Sequence, residues 1–314
     1  MIKTFGLALL AGVSIAAANA QITLDQRYQE YSATSGVSGK LKSVGSDTLN
    51  NLMTLWAEDF KKLYPGVTIE IEGKGSSTAP PALIAGTSQF GPMSRPMRPA
   101  EEDAFAAKYG YKPTQVRVAV DALAVFVHKD NPIKCMSLAQ LQSTFGVGGS
   151  ANTWSDLGQT GDYAGKPISM FGRNSASGTY GFFKEVALGN ADYRPSVKEQ
   201  PGSSAVVQGV AADKFAIGYS GIGYKTADVK AISVSGRDGQ CYEPNQTNAY
   251  QSKYPISRFL FMYVNKNPGA ALPPVQGEFL KFVLSKSGQE DTVKDGYYPM
   301  PFVFANEEKG KLGL

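Results

Sequence analysis

The chain has 314 residues, 31 lysines and arginines against 27 aspartates and glutamates, one histidine, two cysteines and a formal net charge of +4. So mild a balance, with no basic run and no strip of basic and aromatic residues, does not point to nucleic acid, and no such partner is expected. With one histidine, and with both cysteines expected to be tied up together, a zinc site lacks ligands, and beyond the first twenty residues nothing approaches the ~18 apolar residues of a membrane span.

Residues 1–20 carry one charge, Lys3. An apolar stretch runs from Phe5 to Ala18, and the small-x-small ending is Ala18-Asn19-Ala20. That is the form of a secretory signal peptide cleaved before Gln21, and no cysteine follows it for a lipid anchor. An exported chain meets an oxidising space, so Cys135 and Cys241 are expected to form one disulfide, two separate thiols being the alternative. The remaining ~290 residues suffice for two lobes or one large domain.

Residues 21–39 show no sustained period and read as a flexible arm. Leu41 and Val44 mark a short strand. Leu49, Leu52, Met53, Trp56, Phe60 and Leu63 then recur at helical spacing, with Pro65-Gly66 as the stop. Val67, Ile69 and Ile71 alternate with polar residues as a strand with one buried face. Short helices are expected in APPALIAGTSQ and PAEEDAFAAKYG, with a strand and turn in FGPMSRPM between them. VRVAVDALAVFVHK is a long apolar run, as of a strand through the middle of a protein.

A helix is predicted from near Ser137, then a strand in PISMFGR and helices in TYGFFKEVAL and SSAVVQGVAA. Strands FAIGYS, VKAISVS and ISRFLFMYVNK and a helix in VQGEFLKFVLS complete the chain. Alternation of this kind predicts α/β architecture.

Four Gly/Ser/Thr clusters stand where helices are about to begin: Gly45-Ser46-Asp47-Thr48, Gly75-Ser76-Ser77-Thr78, Ser177-Gly178-Thr179 and Gly202-Ser203-Ser204. A helix N-terminus has unpaired N–H groups and a partial positive charge, so several of them converging would hold an anion. Ordinary capping explains any one cluster. It does not require glycine beside each hydroxyl, nor Arg173 ahead of the third.

Enzyme readings find little support. SASG around Ser177 is not a nucleophile elbow, and the one histidine, His128, ends a long strand. The carboxylates are scattered, and GKGSST lacks the ending of a P-loop. No catalytic residue and no cofactor is expected.

VGSDTLNNLMTLWAEDFKKLYPGVTIEIEGKGSST, FGPMSRPM, FGRNSASGTYGFF and GSSAVVQGVAADKFAIGYSGIGY, in this order, resemble the phosphate-binding components of bacterial ABC phosphate transporters. The likeness covers most of residues 40–300. It implies the type II periplasmic-binding-protein fold, two α/β lobes joined by two crossover strands around 116–127 and 256–264. Residues 40–122 and 260–314 would form lobe 1, and 123–259 lobe 2.

The ligand implied is inorganic phosphate. It would be held by Thr48 and Leu49, Ser76, Ser94, Arg173, Ser177, Gly178 and Thr179, with Asp47 and Arg95 as further candidates. The partner implied is a membrane ABC permease, and the binding protein is expected to be a periplasmic or extracellular monomer. Ser94 stands where the best-described branch has an aspartate that accepts the phosphate proton; Asp47 is a candidate substitute. A receptor for sulfate or another tetrahedral oxyanion, a secreted phosphatase, and an adhesion protein remain alternatives.

Overall fold

The computed structural model describes residues 22–314. The expected leader and Gln21 lie outside them. β1 (Gly39–Val44) leads through a 3-10 turn (Asp47–Leu49) into α1 (Asn50–Leu63), on which Leu52, Met53, Trp56 and Phe60 are fully buried on one face. Burial of each is worth roughly 1.5–3 kcal/mol, so packing rather than propensity holds this helix. β2 (Val67–Glu72), α2 (Ala79–Ala85), β3 (Gly91–Met93), α3 (Pro99–Tyr109) and β4 (Thr114–Ala122) follow.

After one residue, Leu123, the chain continues as β5 (Ala124–His128), β6 (Cys135–Ser137), α4 (Leu138–Phe145), β7 (Ser169–Arg173), α5 (Gly178–Val186) and β8 (Lys198–Gln200). Next come α6 (Ser203–Ala212), β9 (Ala216–Ser220), β10 (Val229–Ala231), β11 (Ser233–Ser235), β12 (Cys241–Tyr242) and α7 (Gln246–Tyr250). β13 (Ser257–Val264), α8 (Pro274–Val283), α9 (Lys286–Lys294) and α10 (Phe302–Leu312) end the chain. No helix among the described residues is long and apolar enough to cross a membrane.

Two sheets repeat one pattern. In the first, β2 and β1 are parallel, a parallel bridge from Ser43 to Phe90 carries β1 to β3, and β13 runs antiparallel between β3 and β4. In the second, β8, β7 and β9 are parallel, and β5 runs antiparallel between β9 and β10. These are the two α/β lobes the resemblance implies. The long apolar run 116–129 is thus two strands in two sheets rather than one, split at Leu123. Tyr254 donates to the Leu123 carbonyl at 2.9 Å, and the Leu123 N–H donates to Ile256, so the two crossings lie side by side.

VKAISVS is likewise divided. β10 stays with the second sheet, and β11 joins β6 and β12 in a small third one. The expected Cys135–Cys241 disulfide is formed across that small sheet, between residues 106 apart in sequence.

Residues 22–38 contain no helix or strand, yet the arm is docked rather than free, which corrects the expectation of flexibility. Tyr28 is buried with its hydroxyl on the Met300 carbonyl, and Tyr31 hydrogen-bonds both Tyr64 and Glu278 at 2.6 Å. The Lys286 N–H donates to the Gln29 carbonyl. Two aromatic side chains three residues apart supply the buried area that an irregular segment otherwise lacks.

α9 was missed because KSGQEDTVK has no apolar period; it buries Gln289, Asp291 and Thr292 instead. Just past it, burial pushes the Asp295 carboxyl up to about 7, and its Oδ2 is buried without a hydrogen-bond partner among the described residues. A carboxyl raised on folding contributes stability that is complete below its unfolded value near 4 and lost as pH rises through about 7. Asp295→Asn should therefore raise the melting temperature at pH 8 by a few °C and leave it nearly unchanged at pH 4. Thermal melts at the two pH values test this; equal shifts at both would refute it.

Candidate functional site

Each cluster singled out in the sequence follows the carboxyl end of a parallel strand. Ser46–Leu49 follow β1, Ser76 follows β2, Ser94 follows β3, Arg173–Thr179 end β7 and open α5, and Gly202-Ser203 follow β8. In open α/β sheets that edge is where ligands bind. Here the two edges face one another.

Five hydroxyls meet at the junction. Ser46 donates to Ser94 at 3.1 Å; Ser76 and Ser94 are 3.2 Å apart; Ser94 and Thr179 are 3.4 Å apart; Thr48 and Thr179 are 2.8 Å apart. The Ser94 N–H donates to Ser76 Oγ at 3.0 Å. All five residues are buried at 2% exposure or less, a degree of polar burial that demands partners. Leu49 is also fully buried, in the 3-10 turn that opens α1.

Ser177 caps α5, its Oγ accepting from the N–H groups of Thr179 and Tyr180. At Gly178 the lobes are in close contact: a Cβ placed there would lie 2.4 Å from Ser76 Oγ and 2.7 Å from Ser94 Oγ. The Ser77 N–H donates to the Ala176 carbonyl beside it, and a Cβ on Gly75, which has φ +118°, would lie 2.5 Å from that oxygen.

Arg173 is 1% exposed. It donates to Ser203 Oγ at 2.7 Å and to the Pro201 carbonyl, and its Nη1 lies 3.2 Å from Asp47 Oδ2. Its Nε is buried with no acceptor among the described residues. Burial pulls its pKa below the ordinary arginine value; Asp47 opposes the shift and the charge of Arg258 adds to it.

Asp47 does not join the hydroxyl cluster. Its carboxylate accepts the Ser203 N–H at 2.7 Å, at the N-terminus of α6, and its carbonyl accepts from the Tyr224 hydroxyl. The N-terminus at the fourth Gly/Ser cluster is thus occupied by a carboxylate of the protein itself, through Asp47 Oδ2. Arg95 is also turned away. Its two terminal nitrogens fork onto Glu101, which caps the start of α3, at 2.7 and 2.8 Å. A carboxylate six residues along thus already gives this guanidinium a bidentate partner.

The residues expected to hold the anion did not include Ser46, although it stands in the first cluster, or, more consequentially, Arg258. Arg258 opens β13 and is 8% exposed. It pairs with the fully buried Asp121 of β4 and donates to the Ser94 carbonyl at 2.8 Å and to Thr179 Oγ1 at 2.9 Å. A signal existed: an aspartate inside VRVAVDALAVF and an arginine inside ISRFLFMYV are charges in apolar strands, and buried charges are paired. His128 lies at the other end of β5 from Ala124, which faces Ser220 at the cleft edge. His128 therefore does not stand beside Ser177.

The arrangement is a water-excluding cradle of donors with two guanidiniums on its walls, suited to a small oxyanion. Among the described residues no cluster of three or more His, Cys, Asp or Glu could hold a metal.

Residues 31–287 match the model of the PBP superfamily domain. The chain is 55% identical over 307 residues to phosphate-binding protein PstS of Pseudomonas aeruginosa, covering 96% of this chain and 95% of that protein. It is 30% identical over 271 residues to PstS of Staphylococcus haemolyticus, covering 84% and 82%. Among solved structures, a Clostridium perfringens substrate-binding protein with bound phosphate superposes with TM-score 0.73 at 27% identity, over 84% of this chain and all of that one.

Proposed function

The chain belongs to the PstS phosphate-binding proteins of the PBP superfamily, and from that membership we propose that it captures inorganic phosphate between its lobes. The observation that carries the reading is the meeting of five buried hydroxyls from both lobes beside Arg173 and Arg258.

The protein receives phosphate outside the cytoplasm, after removal of the leader, and hands it to an ABC permease without chemical change. The moving bodies are residues 40–122 with 257–314 against residues 123–256, the expected boundary at 260 shifting because β13 pairs with β4 from Ser257 onward. They turn about the paired crossings at Leu123 and Ile256, as hinged two-domain binders do.

Thr48, Ser76 and Ser94 donate from one lobe, and Ser177, Gly178 and Thr179 from the other, whose Arg173 supplies countercharge. Leu49 adds a backbone N–H at a helix start, where the first N–H groups have no intrahelical acceptor.

Small ligands reach about −1.5 kcal/mol per non-hydrogen atom, which for phosphate corresponds to a dissociation constant of about micromolar. Charge-assisted hydrogen bonds carry it lower. Calorimetry on ligand-stripped protein should give micromolar or tighter phosphate binding that survives a large excess of sulfate between pH 5 and 8. Millimolar binding would refute the reading, and equal competition by sulfate would make this a general receptor for tetrahedral oxyanions. The second outcome has its own motive, since Ser94 offers a hydroxyl rather than a carboxylate to the ligand's proton.

A further inference from the structure

We propose that Arg258 is a positioning residue that commits Thr179 to donating its proton to the bound anion and ties that commitment to lobe closure. The inference rests on the phosphate reading above.

Four of the five guanidinium N–H groups are accounted for. Nε and one Nη2–H go to Asp121 Oδ2, at 3.1 and 2.8 Å; the other Nη2–H goes to Thr179 Oγ1 at 2.9 Å; Nη1 goes to the Ser94 carbonyl at 2.8 Å. A guanidinium only donates, so Thr179 Oγ1 must accept, and its own proton is left to give away. In the present structure the nearest receiver is Thr48 Oγ1 at 2.8 Å, from the opposite lobe. An unprotonated oxygen of an anion seated among these hydroxyls can only accept, and receives that hydrogen bond instead.

The placement also makes Arg258 a reporter of closure. It stands on β13 in the sheet of the first lobe, whereas Thr179 opens α5 on the second. Its partner Asp121 reaches the same way, Oδ1 accepting the Ile222 N–H just past β9 at 3.0 Å. One ion pair, fixed beside the crossings, therefore holds Ser94 on one side and Thr179 and Ile222 on the other. When the lobes part, the contacts to Thr179 and Ile222 are the ones that open. The Asp121 pair and the Ser94 contact lie within the first lobe and stay. Asp121 is fully buried and pairs with the guanidinium at 2.8 Å, which fixes its position within the first lobe.

The test is a double-mutant cycle on phosphate affinity, by calorimetry on wild type, R258K, T179V and R258K/T179V. Lysine keeps a charge opposite Asp121 but cannot fork to three acceptors at once. R258K and T179V should each weaken phosphate binding about tenfold, the size of one charge-assisted hydrogen bond. The double variant should lie within about threefold of T179V alone, because Arg258 acts through that hydroxyl.

The neutral pair R258M/D121N, which leaves no buried charge unmatched, should likewise lose its effect in a T179V background. Effects that multiply in either cycle would overturn the inference, as would wild-type affinity in R258K. A wild type that gives no heat with phosphate would overturn the phosphate reading, and this inference with it.

Discussion

Arg173→Ala should cost about 3–5 kcal/mol of phosphate affinity, a loss of more than a hundredfold. The guanidinium is buried to 1% and shared between Ser203, the Pro201 carbonyl and the carboxylate of Asp47. Truncation removes the countercharge of the anion. It also leaves Asp47, still bonded to the Ser203 N–H at 2.7 Å, facing the ligand as a like charge.

The second consequence yields an internal check. R173A/D47N, which removes both charges, should recover part of the lost affinity; a purely steric role for Arg173 would give no recovery. Calorimetry on the two variants decides, and binding within threefold of wild type in R173A would show that the anion sits elsewhere.

Gly178→Ala should do comparable damage by a different route. Alanine is a better helix former than glycine by about 1 kcal/mol, so α5 and its lobe should fold at least as well as before. In the closed arrangement, however, the new methyl would lie 2.4 Å from Ser76 Oγ, 2.7 Å from Ser94 Oγ and 2.9 Å from Ser76 Cβ. These atoms belong to the opposite lobe and are held by hydrogen bonds, with Ser94 N donating to Ser76 Oγ at 3.0 Å. The lobes must stop short, and the hydroxyls of one side no longer reach a ligand held by the other.

Overpacking of this kind costs about 1–3 kcal/mol, and lost charge-assisted hydrogen bonds add to it, so affinity should fall at least about thirtyfold. Small-angle scattering separates this from a folding defect. Wild type should contract on adding phosphate, while the variant keeps its open dimensions and an undiminished melting temperature. Normal contraction with normal affinity would show that the lobes meet some other way.

Both predictions use residues that the sequence exposed by their local company. Gly178 stands between two hydroxyls at a helix start, and Arg173 ends an alternating strand. The helix of residues 50–63 and the strands at 67–72 and 257–264 were legible because apolar side chains recur at a fixed period over one segment. α9 was not, since its buried face is Gln289, Asp291 and Thr292, and polar burial leaves no hydrophobic period. The split at Leu123 was not legible either: the apolar run continues across it, and only pairing with different partners distinguishes β4 from β5.

The cradle divides the same way. Asp47 looked like an N-cap or a proton acceptor, and only the position of α6 across the cleft shows its carboxylate spent on the Ser203 N–H, 156 residues away. Arg95 looked like a ligand for the anion, and only the structure shows both its terminal nitrogens on Glu101. Arg258 and Asp121, 137 residues apart, each announced a need for an opposite charge without announcing from where.

By itself, then, the sequence determined the alternation of strands and helices and the donor-rich helix starts, because those depend on residues within a turn or two of one another. The tertiary structure alone decided which donors face each other, which carboxylates are already engaged and where glycine is obligatory. Those properties belong to contacts such as Thr48 to Thr179, across 131 residues and two lobes, for which no local spacing carries a signal.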